Sequence, residues 1–264
     1  METLQTRGIR PSRPYNLRSP WGNNRIPSTE ALTGREIALE RDDGATVTLA
    51  FTSDTVTWRD GADEPEQQAA YDAVAARDGV YFIDFLHANS DLLTSIILNE
   101  RTNGAVLIRH TIVRDDGRAD LQQDLYPCLV AGTDGEPPTL SGDLVGKRAY
   151  AEYADGHAVE HVYFNPRRIV WQGLGRFDYS GSECDHATMW KIDDQLYLLT
   201  WVEEWQAVGA ALLLDYSALR NVGVLYGLDD SGFVHTLCGA RLQLLADLSY
   251  PPGYLPGGMN GEAI

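Results

Sequence analysis

The chain carries one structural unit written twice, and that repeat restricts the possible folds more than any other feature. Leu32–Gly44 reads LTGREIALERDDG, and Leu144–Gly156 reads LVGKRAYAEYADG. Both segments open Leu-x-Gly-basic and close Asp-Gly, with Gly44 and Gly156 at the same distance from the opening Leu. Each runs on into alternating residues that end on a tryptophan, Trp58 in one and Trp171 in the other. A third match, without gaps, aligns Tyr81–His87 with Tyr197–Glu203 and Ile96–Leu98 with Leu212–Leu214. A repeated order of strand, turn and Trp reduces a long β chain to two small, similar units.

The residues between these landmarks are those of an all-β protein. Short runs of Val, Ile, Thr, Tyr, Phe and Trp are split by Asp-Gly, Asn-Gly and Pro clusters. Hydrophobic content of 44% is enough for packed cores. The expected organisation is an arm over residues 1–31, a first β unit plus linker over 32–143, and a second unit plus tail over 144–264. Tyr15 and Trp21 are the arm's anchors on the body. Strands are expected at Val80–Leu86, Leu92–Glu100 and Ala105–Arg114, and residues 115–143 read as the link between copies. One short helix is expected at Glu64–Ala76, where EPEQQAAYDAVAA is rich in helix formers and Gly79 follows as a stop. Two antiparallel units of this size can each close into a small barrel, which removes edge strands, or can pack side by side. A barrel of about eight strands is wide enough for one small ligand.

Charge narrows the partners. The net charge of −17 disfavours nucleic acid and anionic membranes, since phosphate binding needs a basic surface. No apolar run approaches the roughly 20 residues that span a bilayer. Cys128, Cys184 and Cys238 are odd in number and scattered, so free thiols in a reducing cytoplasm are expected. His157 and His161 stand four apart, a spacing that ligates metal on a helix but not along a strand. Cys184-Asp185-His186 reads as loop. No Gly-rich phosphate loop or GxSxG motif is present. No metal and no cofactor are expected. The expected partner is a small hydrophobic or aromatic metabolite, with a homodimer as an open assembly state.

Alternation along Tyr197–Glu203 puts Tyr197, Leu199, Trp201 and Glu203 on one face. A glutamate ending an aromatic face needs a partner or a raised pKa, and a raised pKa suits general acid or base work. Alternatively, Glu203 sits in water at a barrel mouth beside Glu204. His87 holds the equivalent position below Tyr81, Ile83 and Phe85. Tyr153 precedes a turn, where it either bonds a ligand oxygen or staples the turn. Trp171, Trp190, Trp201, Trp205 and Tyr179 give the second unit an aromatic excess, which packs a core and also suits a planar ligand.

The chain resembles the MoaF family. The first half carries this in Asn24-Arg-Ile-Pro-Ser-Thr-Glu-Ala-Leu-Thr-Gly34, Asp43-Gly44 and Val80-Tyr-Phe-Ile-Asp-Phe85. The second half carries it in Glu160-His-Val-Tyr-Phe-Asn-Pro166, Trp171, Lys191-Ile192 and Leu196–Glu203. The resemblance covers about residues 24–248 and implies two tandem lipocalin-like (calycin) barrels. The second unit is also similar, more distantly, to the phenolic acid decarboxylases. Their Gly-x-x-x-x-Tyr-x-Tyr-x-x-Gly pattern falls on Gly146 to Gly156, with the second tyrosine at Tyr153 and Ala151 in place of the first. Their cavity glutamate falls on Glu203, and their cavity arginine has only a gapped match at Gly175-Arg176-Phe177. Half of that site is therefore unmatched.

The expectation is a cofactor-free lyase, isomerase, hydratase or cyclase acting on an aromatic or unsaturated metabolite in the second barrel. Glu203, Tyr153 and His161 are the candidate catalytic residues, and Trp171, Arg176, Tyr179, Trp201 and His87 the candidate ligand contacts. The alternatives are a non-catalytic binder of lipocalin type, or a structural role in which one copy buttresses the other.

Overall fold

A computed structural model describes residues 20–175, 181–251 and 256. Their regular structure is entirely β. The first unit contains β1 (Glu36–Arg41), β2 (Thr46–Phe51), β3 (Thr55–Asp60), β4 (Gln67–Arg77), β5 (Val80–Leu86), β6 (Leu92–Asn99), β7 (Gly104–Asp115) and β8 (Arg118–Val130). These strands pair in sequence order, antiparallel throughout, and β8 returns to β1 to close the barrel. A two-residue strand, β9 (Thr139–Leu140), follows. The second unit contains β10 (Lys147–Ala154), β11 (His157–Asn165), β12 (Arg168–Gly175), β13 (Ser182–Asp193), β14 (Leu196–Val202), β15 (Ala207–Asp215), β16 (Arg220–Asp229) and β17 (Gly232–Asp247). It closes through β10–β17, while β9 extends the edge of β13 beyond the β12 pairing.

The duplication holds to the level of single hydrogen bonds. Ile83 lies opposite Ile96 in β5–β6, and Leu199 lies opposite Leu212 in β14–β15, as the ungapped alignment requires. The His87 N–H donates to the Leu92 carbonyl, and the Glu203 N–H donates to the Val208 carbonyl, five residues on in both copies. Both Asp-Gly pairs turn the opening hairpin of their barrel. Gly44 and Gly156 there adopt φ of 84° and 74°, a region a side chain disfavours.

Two expectations are corrected. Residues 64–76 form no helix; Gln67–Arg77 is β4. Ala69, Tyr71, Ala73 and Ala75 alternate inward, and Val74 faces the second barrel. Helix propensity contributes only tenths of a kcal/mol per residue. Without β4 the backbone edges of β3 and β5 would both lose their partner. The link between copies is also shorter than expected, because Arg118–Val130 is β8, the strand that closes the first barrel.

The barrels share an apolar seam. Val74, Phe82, Ile97, Val106 and Ile108 pack with Trp190, Leu198, Leu213, Val222, Val224 and Tyr226. This explains why β14 and β15 read as continuous apolar runs: one face lines their own barrel and the other meets the neighbour. Arg77 ties the seam with a bidentate contact to Asp215 at 2.5 and 2.7 Å. Trp21 is buried edge-on against Tyr153, ring centroids 4.5 Å apart, so the arm's anchor is in the second barrel. Tyr15 lies outside the described residues.

Candidate functional site in the second barrel

Four acidic side chains occupy inward, buried positions of the second barrel: Glu183 and Asp185 on β13, Glu203 just past β14, and Asp229 at the end of β16. Their direction follows from strand alternation. Ala187 and Met189 continue the face of Glu183 and Asp185, while Leu199 and Trp201 continue that of Glu203, and all four of these belong to the barrel's interior cluster.

Asp185 is completely buried and anchored. The Trp171 Nε1–H donates to Oδ2 at 2.7 Å, and the Glu204 N–H donates to Oδ1 at 3.2 Å. Burial still raises its pKa above the ordinary value, against these two bonds. Glu183 is pushed up to about 8, first by burial and then by the charge of Asp185 and a hydrogen bond with it. Its Oε2 has no partner. Glu203 is raised well above the carboxylate range, mainly by burial and further by Glu183, Asp185 and Asp229. Burial and mutual repulsion thus favour the protonated form of Glu203 and of the Glu183–Asp185 pair.

Two nitrogens in the same interior are uncommitted. Trp201 Nε1 and His161 Nδ1 are buried with no hydrogen-bond partner. The two rings meet edge-on, centroids 5.7 Å apart. Burial pushes the His161 imidazole down to about 4, so it is neutral at physiological pH. Among the described residues, no three His, Cys, Asp or Glu side chains group as a metal site.

The sequence-derived candidates separate into groups. Glu203, His161, Trp171 and Trp201 belong to this interior. Tyr153 belongs to the same interior cluster, packed against Trp21 and beside Asn221 and Cys238, and burial raises its pKa. The charged neighbours that shift Glu203 are the three other acids. His87 sits in the first barrel. Its Nε2 pairs with Thr94 Oγ1 at 2.8 Å, its ring lies 4.6 Å from Trp58, and burial lowers it to about 4. Arg176 and Tyr179 lie outside the described residues.

Glu183 and Asp229 were not among the sequence candidates, and Asp185 was read with Cys184 and His186 as loop. Cys184-Asp185-His186 is strand, not loop. The signal was available: in Ser182–Asp193 the acids Glu183 and Asp185 share the parity of Ala187 and Met189, which puts two carboxyls on an apolar face.

The chain is similar to known proteins. Residues 16–114 match the MoaF N-terminal domain and residues 138–248 match the MoaF C-terminal domain. Protein MoaF of Klebsiella aerogenes is 25% identical over 181 residues, covering 63% of this chain and 69% of that protein. A crystal structure from Burkholderia vietnamiensis, described as a "putative beta-lactamase", covers 40% of this chain and all of its own at 15% identity, with a TM-score of 0.36.

Proposed function

This chain belongs to the MoaF family, and on that premise we propose that its second barrel performs cofactor-free acid–base chemistry on a hydrophobic, unsaturated or aromatic metabolite. The observation that carries this reading is the gathering of buried carboxyls on the inward faces of one barrel. Burial holds Glu203 well above the ordinary carboxylate range, which favours its acid form, and Glu183–Asp185 is a second carboxyl pair able to exchange a proton. Carboxyls tuned toward the working pH are the usual instruments of general acid–base catalysis. In the proposed step Glu203 gives its proton to one end of a conjugated system, and the Glu183–Asp185 pair takes a proton from another position. The double bond moves, the substrate's composition is unchanged, and the class is isomerase. If a hydroxyl leaves with the Glu203 proton as water, the same groups give a dehydration, and the class is lyase. Trp171 holds Asp185 in place, and the uncommitted Trp201 and His161 nitrogens suit substrate oxygens.

Room for a ligand is the supporting condition. Where the first barrel places Ile37, Leu39, Tyr71 and Tyr126 inward, the second places Ala149, Ala151, Ala187 and Cys238 at the corresponding pairing positions.

The test is carbon-bound proton exchange. The protein is incubated in D2O with a panel of aryl-substituted unsaturated acids, alcohols and ketones, and deuterium incorporation and product formation are followed by NMR. Glu203→Gln should lower turnover by roughly 10²–10⁴-fold, the range of general acid–base groups, while retaining ligand binding. Binding with no exchange in the unmodified protein would instead establish the lipocalin-type carrier.

A further inference from the structure

We propose that the cleft between the two barrels is a second small-molecule site, which takes a small carboxylic acid with a flat apolar body. The cleft has a volume of about 380 Å³, within the range of small-molecule sites. It runs along β13 and β14, where the outward Thr188, Thr200 and Val202 face Gln123 and Leu125 of β8, and it also touches the inward Ala187 and Trp201 of the same strands. Leu125, Leu140, Pro166 and Val202 form apolar walls.

Its polar groups are few and select for an acceptor. Thr188 and Thr200 face each other across β13–β14, their hydroxyl oxygens 2.8 Å apart. The Trp190 Nε1–H donates to Thr188 Oγ1 at 3.3 Å. Two hydroxyls carry two protons, and their mutual bond uses one. Among the described residues no acceptor is found for the other. Thr200 is 1% exposed and Thr188 half-buried, so whichever hydroxyl carries that proton is at least partly shielded from bulk water. Arg167 lines the same cleft, and among the described residues its guanidinium has neither ion pair nor hydrogen bond. Neighbouring Arg168, by contrast, is engaged by Glu204 at 3.1 Å and by His186 at 2.7 Å. In a chain of net charge −17, an arginine without a partner among the described residues and an uncommitted hydroxyl proton lining one cleft mark a place for an anion. A carboxylate accepts from both, and the apolar walls accept the rest of the molecule.

Phenylacetate is the probe, with phenylacetamide as its uncharged analogue, and calorimetric titration is the measurement. Arg167→Gln should weaken phenylacetate about tenfold and phenylacetamide little, as expected for one charge-assisted contact. Thr200→Val should weaken both, and Ala151→Leu in the second barrel should change neither. Thermal melts check folding; Arg167 is at the surface, so its variant decides the question even if Thr200→Val destabilises the seam. The proposal is overturned by absence of saturable phenylacetate binding, or by equal affinity in the unmodified protein and Arg167→Gln. Binding lost in Ala151→Leu, which fills the second barrel, but kept in Arg167→Gln would place the ligand in the barrel and overturn it too.

Discussion

Among the described residues the first barrel leaves Arg41 Nε without a partner, whereas the second leaves Glu183 Oε2, His161 Nδ1, Trp201 Nε1 and Asp229 Oδ2 without one. The same registers carry different chemistry. His87 and Glu203 make equivalent backbone bonds, but the residue opposite Phe85 is Thr94, which binds His87, and the residue opposite Trp201 is Ala210, which cannot serve Glu203. Arg41 stacks 3.7 Å over the Tyr126 ring and pairs with Asp60, which also binds Arg109. The corresponding positions of Arg41, Tyr126 and Asp60 in the second barrel are Tyr153, Cys238 and Gly173. A duplicated fold lets one copy supply stability while the other holds costly groups. The buried seam between them lets the first copy's stability support the second.

The largest expected effect breaks the symmetry of His87 and Glu203. Glu203→Gln should cost roughly 10²–10⁴-fold in turnover, while His87→Gln, with its Thr94 partner still present, should leave turnover within a few-fold. Parallel assays, with melts as folding control, decide it; a larger loss from His87→Gln would move the site to the first barrel.

Next come the cores. Leu39→Ala should cost about 2–5 kcal/mol, because it opens a cavity in a filled barrel. The reciprocal Ala151→Leu should cost less than the about 1–3 kcal/mol of ordinary overpacking, and should compete with ligand. Urea denaturation of both variants reads the contrast, and equal costs would mean that the two interiors are equally full.

Thr94→Val should cost about 1–3 kcal/mol by leaving the half-buried His87 ring nitrogen without its partner. Its counterpart Ala210→Val should abolish no polar contact. Thermal melts of the pair test whether the first barrel's polar bonds contribute stability.

The smallest effect is in the pH dependence, and the two positions have opposite signs. Glu183 titrates at about 8 when folded against an ordinary 4.5, so the folded state holds a proton that the unfolded state has lost between these values. Its contribution is full below about 4.5 and is lost as pH rises through 8. His87 titrates at about 4 against 6.5, so the unfolded state holds the extra proton there, and stability is lost as pH falls from 6.5 through 4. Glu183→Gln should flatten the alkaline side of a stability–pH profile and His87→Gln the acid side. His161, also near 4, should add to the acid side from the second barrel.

Much of the fold was legible because β structure writes itself in short range. Asp-Gly turns, alternation and the ungapped strand match gave the duplication, and they placed Tyr197, Leu199, Trp201 and Glu203 on the face they occupy. Glu203 stood out because a carboxylate ended an aromatic face. Glu183 and Asp185 were obscured by the neighbouring Cys184 and His186, which drew attention to a linear cluster whose members point to opposite faces. Tyr153 was chosen for its place in a turn-proximal motif, and nothing local showed that Trp21, far away in sequence, would pack on it.

The sequence by itself determined the class, the two copies and the parity of each strand, since these depend on neighbours one to four residues apart. Only the tertiary structure decided that Gln67–Arg77 is a strand, because the demand for it comes from two unpaired edges rather than from its own residues. Only barrel closure brought Glu183, Asp185, Glu203 and Asp229 from three separate stretches into one interior, where burial and nearby charge raise the pKa of Glu203, Glu183 and Asp185. Burial and long-range charge are properties of the closed barrel, and no local pattern encodes them.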